Sequence, residues 1–283
     1  EAVRAVCRER GVPLFLDASR FAENAWLIKC REPGFDSWTV LDIVQCMFSM
    51  ADGFTMSAKE DCMAHMGGVL ATQNETWADR FRNSISILGG FPSSGGLAGR
   101  DLETIATGIE EAIDPKYLAY RARNVAYLAE GLARIGMTVM EPIGGHAVFI
   151  DAAAMLPHIP PNCFPAQALA VAFYEEGGVR GADAGSLMFP EAEMELFRLA
   201  IPRRTYTQAH MDYVIEAAER VMARLSTLSG LTIRSAPTAM RHFTARFARV
   251  EMAVENESLR AEFSKDDQPC CSGAKTQCHD ETH

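Results

Sequence analysis

The run Thr55-Met56-Ser57-Ala58-Lys59-Glu60-Asp61-Cys62 sets an amine and two carboxylates side by side, after an apolar, β-branched stretch and before Gly67-Gly68. That is a strand running into a tight loop built for polar work. By their types alone, Ser57 reads as a turn residue and Lys59 as a solvated charge. Asp17 closes the short apolar run Val12–Leu16, at the carboxyl end of a strand, where α/β sheets place their sites. A carboxylate there could sit beside a pyridine nitrogen and keep it protonated, which makes the ring an electron sink. The plainer reading has Asp17 capping the next helix and Arg20 on its surface. Arg198 lies in a second strand-like run. Its plain reading is a surface strand residue with an ion-pair partner. A lone histidine such as His242 reads first as structural.

The elements that must position these residues alternate. Glu1–Arg10 reads as a helix stopped at Gly11, and Val12–Leu16 as a buried parallel strand. Phe21–Lys29 and Thr39–Met50 carry helical spacing, and Gly53–Ser57 and Gly68–Thr72 are strand candidates. Strands alternating with helices argue an α/β class. After Gly95-Gly96 the character changes. Long helices are expected over Leu97–Ile113 and Tyr117–Ile135, with further helices over Ala166–Glu176 and Gln208–Leu225. Strands are expected at Gly144–Asp151, at Leu196–Ile201 ending in Pro202, and at His242–Val250. The division that follows is 1–96 as part of a large domain, 97–250 as a small α+β domain with its linking helices, and 251–283 as a disordered, acidic, Cys-containing tail.

The 283 residues carry a net charge of -10, which argues against nucleic acid and anionic membrane as partners. From Glu251 to His283 eight acidic and three basic residues account for -5 of it. No apolar run approaches the roughly 20 residues of a membrane helix. Glu1–Arg10 reads as a charged amphipathic helix, not a leader, and a first residue other than Met reads as a fragment or a processed product. Cys7, Cys30, Cys46, Cys62 and Cys163 are scattered, as free thiols in a reducing cytoplasm would be. Cys270, Cys271, Cys278 and His279 cluster, but their spacing matches no strong metal template.

Thr55–Cys62 resembles the lysine loop of the tryptophanase and tyrosine phenol-lyase family, the pyridoxal-phosphate β-eliminating lyases. Leu16-Asp17-Ala18-Ser19-Arg20-Phe21-Ala22-Glu23-Asn24-Ala25, Gly95–Asp101, Pro142–Asp151, Phe164–Ala170 and Arg198–Thr207 are similar to the family in the same order. The resemblance covers about residues 1–250 and corresponds to the second half or so of a full-length member. It implies a fold-type-I transferase-like architecture, with a partial large domain and a small C-terminal domain. It also implies that Asp17 holds the ring nitrogen and that Arg20 lies near the ring's phenolic oxygen. Ser57 and Lys59 would contact the phosphate, and Arg198 the substrate α-carboxylate. Ala184 stands where phenol-lyases have an arginine, and His242 where they have Phe and tryptophanases have His. Both choices imply L-tryptophan as substrate, split to indole, pyruvate and ammonia. The family further implies a homotetramer with shared sites and a monovalent cation, K+ for example, held partly by backbone oxygen near His65.

The departures are specific. The family carries two adjacent lysines in this loop, and the second forms the imine with the cofactor. Here Lys59 keeps the first position and Glu60 takes the second. A carboxylate cannot form that bond. Lys59, as its neighbour in extended chain, would point to the other side. Ser94 replaces a usual Tyr, and the segment from Ser186 to Leu196 is short. The expectation is therefore a tryptophanase-type lyase by family. The rival is a catalytically inactive relative or fragment, and a phenol-lyase or another fold-type-I aldolase or aminotransferase is the weaker third.

Overall fold

The chain is described by a computed structural model over residues 1–91, 95–237 and 240–250. The tail read as disordered, with its Cys270, Cys271, Cys278 and His279, and the Ser94 substitution lie outside the described residues. Residues 1–250 cluster as one compact unit.

Helix α1 (Ala2–Glu9) leads through Gly11 into strand β1 (Phe15–Asp17). The turn uses φ +64° at Gly11, in the left-handed region that favours glycine. Helices α2 (Phe21–Arg31) and α3 (Val40–Ser49) follow. Thr39 and Asp42 form a reciprocal capping box that fixes where α3 begins. Strands β2 (Gly53–Ser57) and β3 (Gly68–Thr72) complete a sheet of order β1-β2-β3. β1 runs parallel to β2, which pairs antiparallel with β3. β1 is shorter than the sequence predicts and is not buried, because it is the edge strand of this sheet and only Leu16 is half-covered.

Helix α4 (Glu75–Leu88), capped by Asn74, has no counterpart in the sequence expectations. It buries no residue, although Trp77, Phe81 and Ile85 recur at helical spacing and Trp77 and Phe81 pack on Phe15 of the edge strand. Helices α5 (Gly99–Ala112) and α6 (Pro115–Arg134) come next. Pro115 and the Asp114 side chain start α6. Strand β4 (Ala147–Asp151) runs into the short α7 (Ala152–Met155), and α8 (Pro165–Gly177) ends in Gly178 at φ +62°. β5 (Ala182–Ala184) and β6 (Leu196–Ala200) join β4 in an antiparallel sheet of order β4-β6-β5. α9 (Gln208–Ala223) is followed by β7 (Leu231–Ser235).

The chain then makes a helical turn, α10 (Arg241–Thr244), before β8 (Arg246–Arg249) pairs with β7. The alternating run His242–Val250 is thus a strand only in its second half. Its first half folds as a turn, with the Phe243 N–H donating to Met240 and Ala245 to Arg241.

Two apolar cores organise the unit. One gathers Phe21, Val40, Ile43, Met56, Ile105 and Leu118. The other gathers Val125, Leu128, Leu169, Phe173, Phe197 and Val221. α6 supplies Leu118 to the first and Val125, Leu128 and Leu132 to the second. No helix among the described residues is long and apolar enough to cross a membrane.

Candidate functional site

The turn from β1 into α2 is built by its own side chains. The Ser19 N–H and hydroxyl both donate to Asp17 Oδ1, at 3.1 and 2.6 Å. The Ser57 N–H in turn donates to Ser19 Oγ at 3.1 Å. That web fastens the ends of β1 and β2 together. The Ser19 hydrogen bonds hold the exposed Asp17 carboxyl below its ordinary range, so it stays ionised. An ionised carboxylate open to a guest suits a protonated pyridine nitrogen.

Beyond β2 the chain does not stay extended. Ala58, Lys59 and Glu60 form a turn, with Ala58 N–H donating to Gly67 and Ala64 N–H to Ala58. α5 lies hard against this loop. A side-chain carbon added at Gly108 would fall 1.9 Å from the Cys62 carbonyl oxygen. The turn sends neighbouring side chains into different surroundings. Lys59 is exposed, whereas Glu60 turns inward to Arg20 at 3.3 Å and Arg203 at 3.2 Å.

Arg203, just after β6, is the centre of a buried ion cluster. It donates to Glu23 Oε1 and Asp61 Oδ1, each at 2.8 Å, as well as to Glu60. Asp61 Oδ2 accepts from the Ala22 N–H at the start of α2, and Arg121 donates to Glu23 at 3.0 Å. Burial pushes the Glu23 and Asp61 carboxyls up, against the pull of Arg203. Burial also opposes the Arg203 charge, but the carboxylates around it outweigh that and raise its pKa. This cluster ties the loop of Glu60 to α2, α6 and the end of β6.

Arg198 sits beside that cluster on β6, opposite Phe149 of β4 and Ala182 of β5. Its Nε is buried and has no hydrogen-bond partner among the described residues. Burial lowers its pKa, Arg20 lowers it further and Glu60 opposes them. His146, at the entry to β4, is held neutral there. Burial, then Arg20 and Arg198, push it down to about 3. Ala184 falls on the same face of the sheet as Arg198, because Ala182 is paired with Arg198 and Ala184 with Leu196.

Arg20 and Glu60 are brought together, next to the web of Asp17 and Ser57. Two predicted residues lie elsewhere. His65 is exposed in the turn before β3. His242, on α10, lines a cavity of about 530 Å³ with Tyr174, Arg180, Asp183 and Phe243. No contact among the described residues joins His242 to the Arg198 group.

Sequence reasoning gave no role to Glu23, Asp61, Arg121, His146 or Arg203. The one local signal was an acidic pair, Glu60-Asp61, matched by the basic pair Arg203-Arg204 far along the chain.

These residues fit a phosphorylated pyridine guest at its ring nitrogen and do not fit a covalent bond to it. Position 60 offers a carboxylate committed to two guanidiniums, and the lysine next to it faces solvent.

A family model described as Beta-eliminating lyase matches residues 1–217. The tryptophanase of Salinibacter ruber is 50% identical over 264 residues, which cover 90% of this chain and 56% of that protein. The tyrosine phenol-lyase of Symbiobacterium thermophilum is 45% identical over 254 residues, 87% of this chain and 56% of its own. The chain thus spans little more than half the length of the curated relatives it matches. Among solved structures, Sphingomonas wittichii serine palmitoyltransferase superposes with a TM-score of 0.54 at 14% identity, over 80% of this chain and 51% of that one. That likeness concerns the fold, which is the fold-type-I architecture of pyridoxal-phosphate enzymes.

Proposed function

The chain belongs to the β-eliminating lyase family, and we propose that it is a tryptophanase-type member that keeps the non-covalent half of the site and lacks the covalent half. The single observation behind this reading is Glu60. It stands where the family has its imine lysine, and its carboxylate is spent on Arg20 and Arg203.

Pyridoxal phosphate, when bound, supplies an electron sink for a carbanion. In our reading the Asp17 carboxylate holds the ring nitrogen's proton, and Ser57 and Lys59 hold the phosphate. Arg198 orients the substrate carboxylate. Its buried Nε without a partner supports that role, and Ala184, small where phenol-lyases carry an arginine, supports an indole side chain over a phenol. None of these residues replaces the amine that would take up and return the α-proton. Lys59 is the one other amine in the loop, and it points away. Without that amine, no elimination step follows from this chain's residues, and the inactive reading is the one the geometry favours.

The rest of the reading follows the family: a homotetramer in the cytoplasm, with a monovalent cation such as K+ at the backbone oxygen of His65. The two cores support division into a large-domain part and a small domain, with α6 bridging them. His242, where tryptophanases have His and phenol-lyases Phe, likewise favours an indole substrate.

A spectrum with borohydride trapping tests the proposal. The chain mixed with pyridoxal phosphate should show no imine band, and borohydride should leave no pyridoxyl label on a loop lysine. A label on Lys59 would overturn the inactive reading. Glu60→Lys should restore a reducible band, and a full-length Glu60→Lys protein that still released no indole from tryptophan would show that more than Glu60 is missing.

A further inference from the structure

Around β5 the buried charges do not balance. Asp183 and Glu195 are 6% and 3% exposed, and Glu195 helps burial to push the Asp183 carboxyl up. The Gly185 N–H donates to Asp183 Oδ1 and the Ser186 N–H to Glu195 Oε1. Asp183 Oδ2 and Glu195 Oε2 are left buried without a partner among the described residues. Arg241 is the guanidinium that acts on Asp183, yet its own hydrogen bonds go to the Leu187 and Ser186 carbonyls. Two carboxylates thus share one cation that is bonded to neither. Buried carboxylates left open in this way are costly unless a positive group completes them.

Asp183 lines the cavity of about 530 Å³ bordered by α8, β5 and α10. Its partner across the sheet is Phe197, which is buried against Phe173 of α8 with ring centroids 4.9 Å apart. Asp183 therefore points to the α8 side of the sheet, away from the face that Ala182, Ala184 and Arg198 share. Tyr174, His242 and Phe243 give the cavity aromatic walls, and Met188 adds an apolar one. Aromatic faces attract a cation as a carboxylate does. Arg180 also lines the cavity, but it is exposed and its charge is screened by water. No group of three or more His, Cys, Asp or Glu among the described residues could hold a metal ion, so the missing cation is an organic one.

We propose that this cavity is a binding site for a protonated primary amine on an aromatic arm, with the ammonium donating to Asp183 Oδ2 and the arm packed against Tyr174 and Phe243. The ammonium supplies the positive charge that Arg241 withholds, and the arm displaces water from the apolar walls. The site uses neither the cofactor residues nor Glu60, so it stands apart from the family reading.

Titration calorimetry on the 283-residue chain without added pyridoxal phosphate tests it, at about pH 8, above the Asp183 value of about 6. Phenethylammonium should bind. Phenethyl alcohol, which lacks the charge, phenylacetate, which reverses it, and methylammonium, which lacks the arm, should each bind at least about tenfold more weakly. Asp183→Asn keeps the acceptor for Gly185, and it should bring phenethylammonium down to the level of phenethyl alcohol while leaving the alcohol's own affinity unchanged. An absence of phenethylammonium binding would overturn the proposal, as would full affinity retained in Asp183→Asn. Phenethyl alcohol or methylammonium binding as tightly as phenethylammonium would overturn it too, since the first removes the need for the carboxylate and the second the need for the aromatic walls. The probe series on the unaltered chain decides the matter even if Asp183→Asn fails to fold.

Discussion

Arg203 donates to Glu23, Glu60 and Asp61, whereas Arg198, a few residues earlier on β6, donates to no side chain among the described residues. Arg198 is half-buried on the central strand β6, and Arg203 is nearly buried just beyond the end of that strand. Pairing separates them. Glu23, Asp61 and Arg203 are 5%, 2% and 10% exposed, so their charges see little solvent and depend on each other. Arg198 keeps its hydrogen-bonding capacity open. Saturated charges of the first kind hold parts of a fold in register, and unsaturated ones of the second kind await a guest. Glu60 stands at the border of the cluster, tied to Arg203 on one side and to Arg20 on the other. This is why one substitution can add to the structural cluster and change the chemistry of the pocket together.

The sharpest way to break this contrast is Arg203→Ala. It leaves Asp61 and part of Glu23 buried without their cation, and removing one partner of a buried pair costs about 3–5 kcal/mol. A urea midpoint should fall accordingly. A loss below about 1 kcal/mol, within the range of exposed ion pairs, would mean that the cluster is solvated and the contrast with Arg198 empty.

Asp183 sharpens the comparison from a third position, because it is a buried carboxylate with no guanidinium in contact. Its Oδ1 accepts from the Gly185 N–H, its Oδ2 has no partner, and the side chain is 6% exposed. Burial raises it from 3.8 to about 6; Glu195 adds to the rise, while Gly185, Met188 and Arg241 oppose it. The folded protein thus holds this proton more tightly than the unfolded chain does. The stability from this group is full below about pH 4 and is lost as pH rises through about 6, a swing on the order of 3 kcal/mol at most. Asp183→Asn keeps the acceptor for Gly185 and removes the charge. At pH 8 it should stabilise by about 1–3 kcal/mol and at pH 4 by almost nothing. Thermal denaturation of both proteins across that range checks it, and parallel curves would show that Asp183 does not carry the swing.

Gly108→Ala tests whether α5 sets the position of the loop. The added carbon meets the Cys62 carbonyl oxygen, a backbone atom that cannot turn aside. Overpacking of this kind costs about 1–3 kcal/mol. The cost should be smaller than for Arg203→Ala, since a displaced loop can carry Glu60 and Asp61 with it. Chemical denaturation of the two variants side by side gives the order, and a reversed order would place the loop's anchor in α5 instead of Arg203.

The sequence carried the pieces of this arrangement unevenly. Helices with caps and an apolar face were legible, such as α3 with Thr39 and Asp42, or α6 with Asp114 and Pro115. Strands β2 and β3 were legible down to their end residues. α4 was not, since it turns no residue into a core. Nor was the start of the last strand, where His242 and Phe243 alternate with polar residues and yet fold as a helical turn. Asp17 stood out by its type and its place at a strand end, whereas Arg20, Ser57 and Arg198 gained roles only through the family resemblance. The Arg203 cluster did not, because Glu23, Asp61 and Arg203 are far apart along the chain, and only tertiary packing shows which of many charged residues lose their water.

Arg198→Leu carries the smallest expected effect on stability and bears most directly on the contrast. Leucine retains much of the apolar stem's packing, and no hydrogen bond to a described side chain is lost. Removing a half-buried charge whose Nε has no acceptor relieves desolvation, so the two effects offset and the net change should stay within about 1 kcal/mol, of either sign. Amino acid binding to the same variant should vanish. A stability loss as large as that of Arg203→Ala would place Arg198 among the structural charges and end its contrast with Arg203. A stable variant that no longer takes up tryptophan would show that two neighbouring arginines divide holding and binding between them.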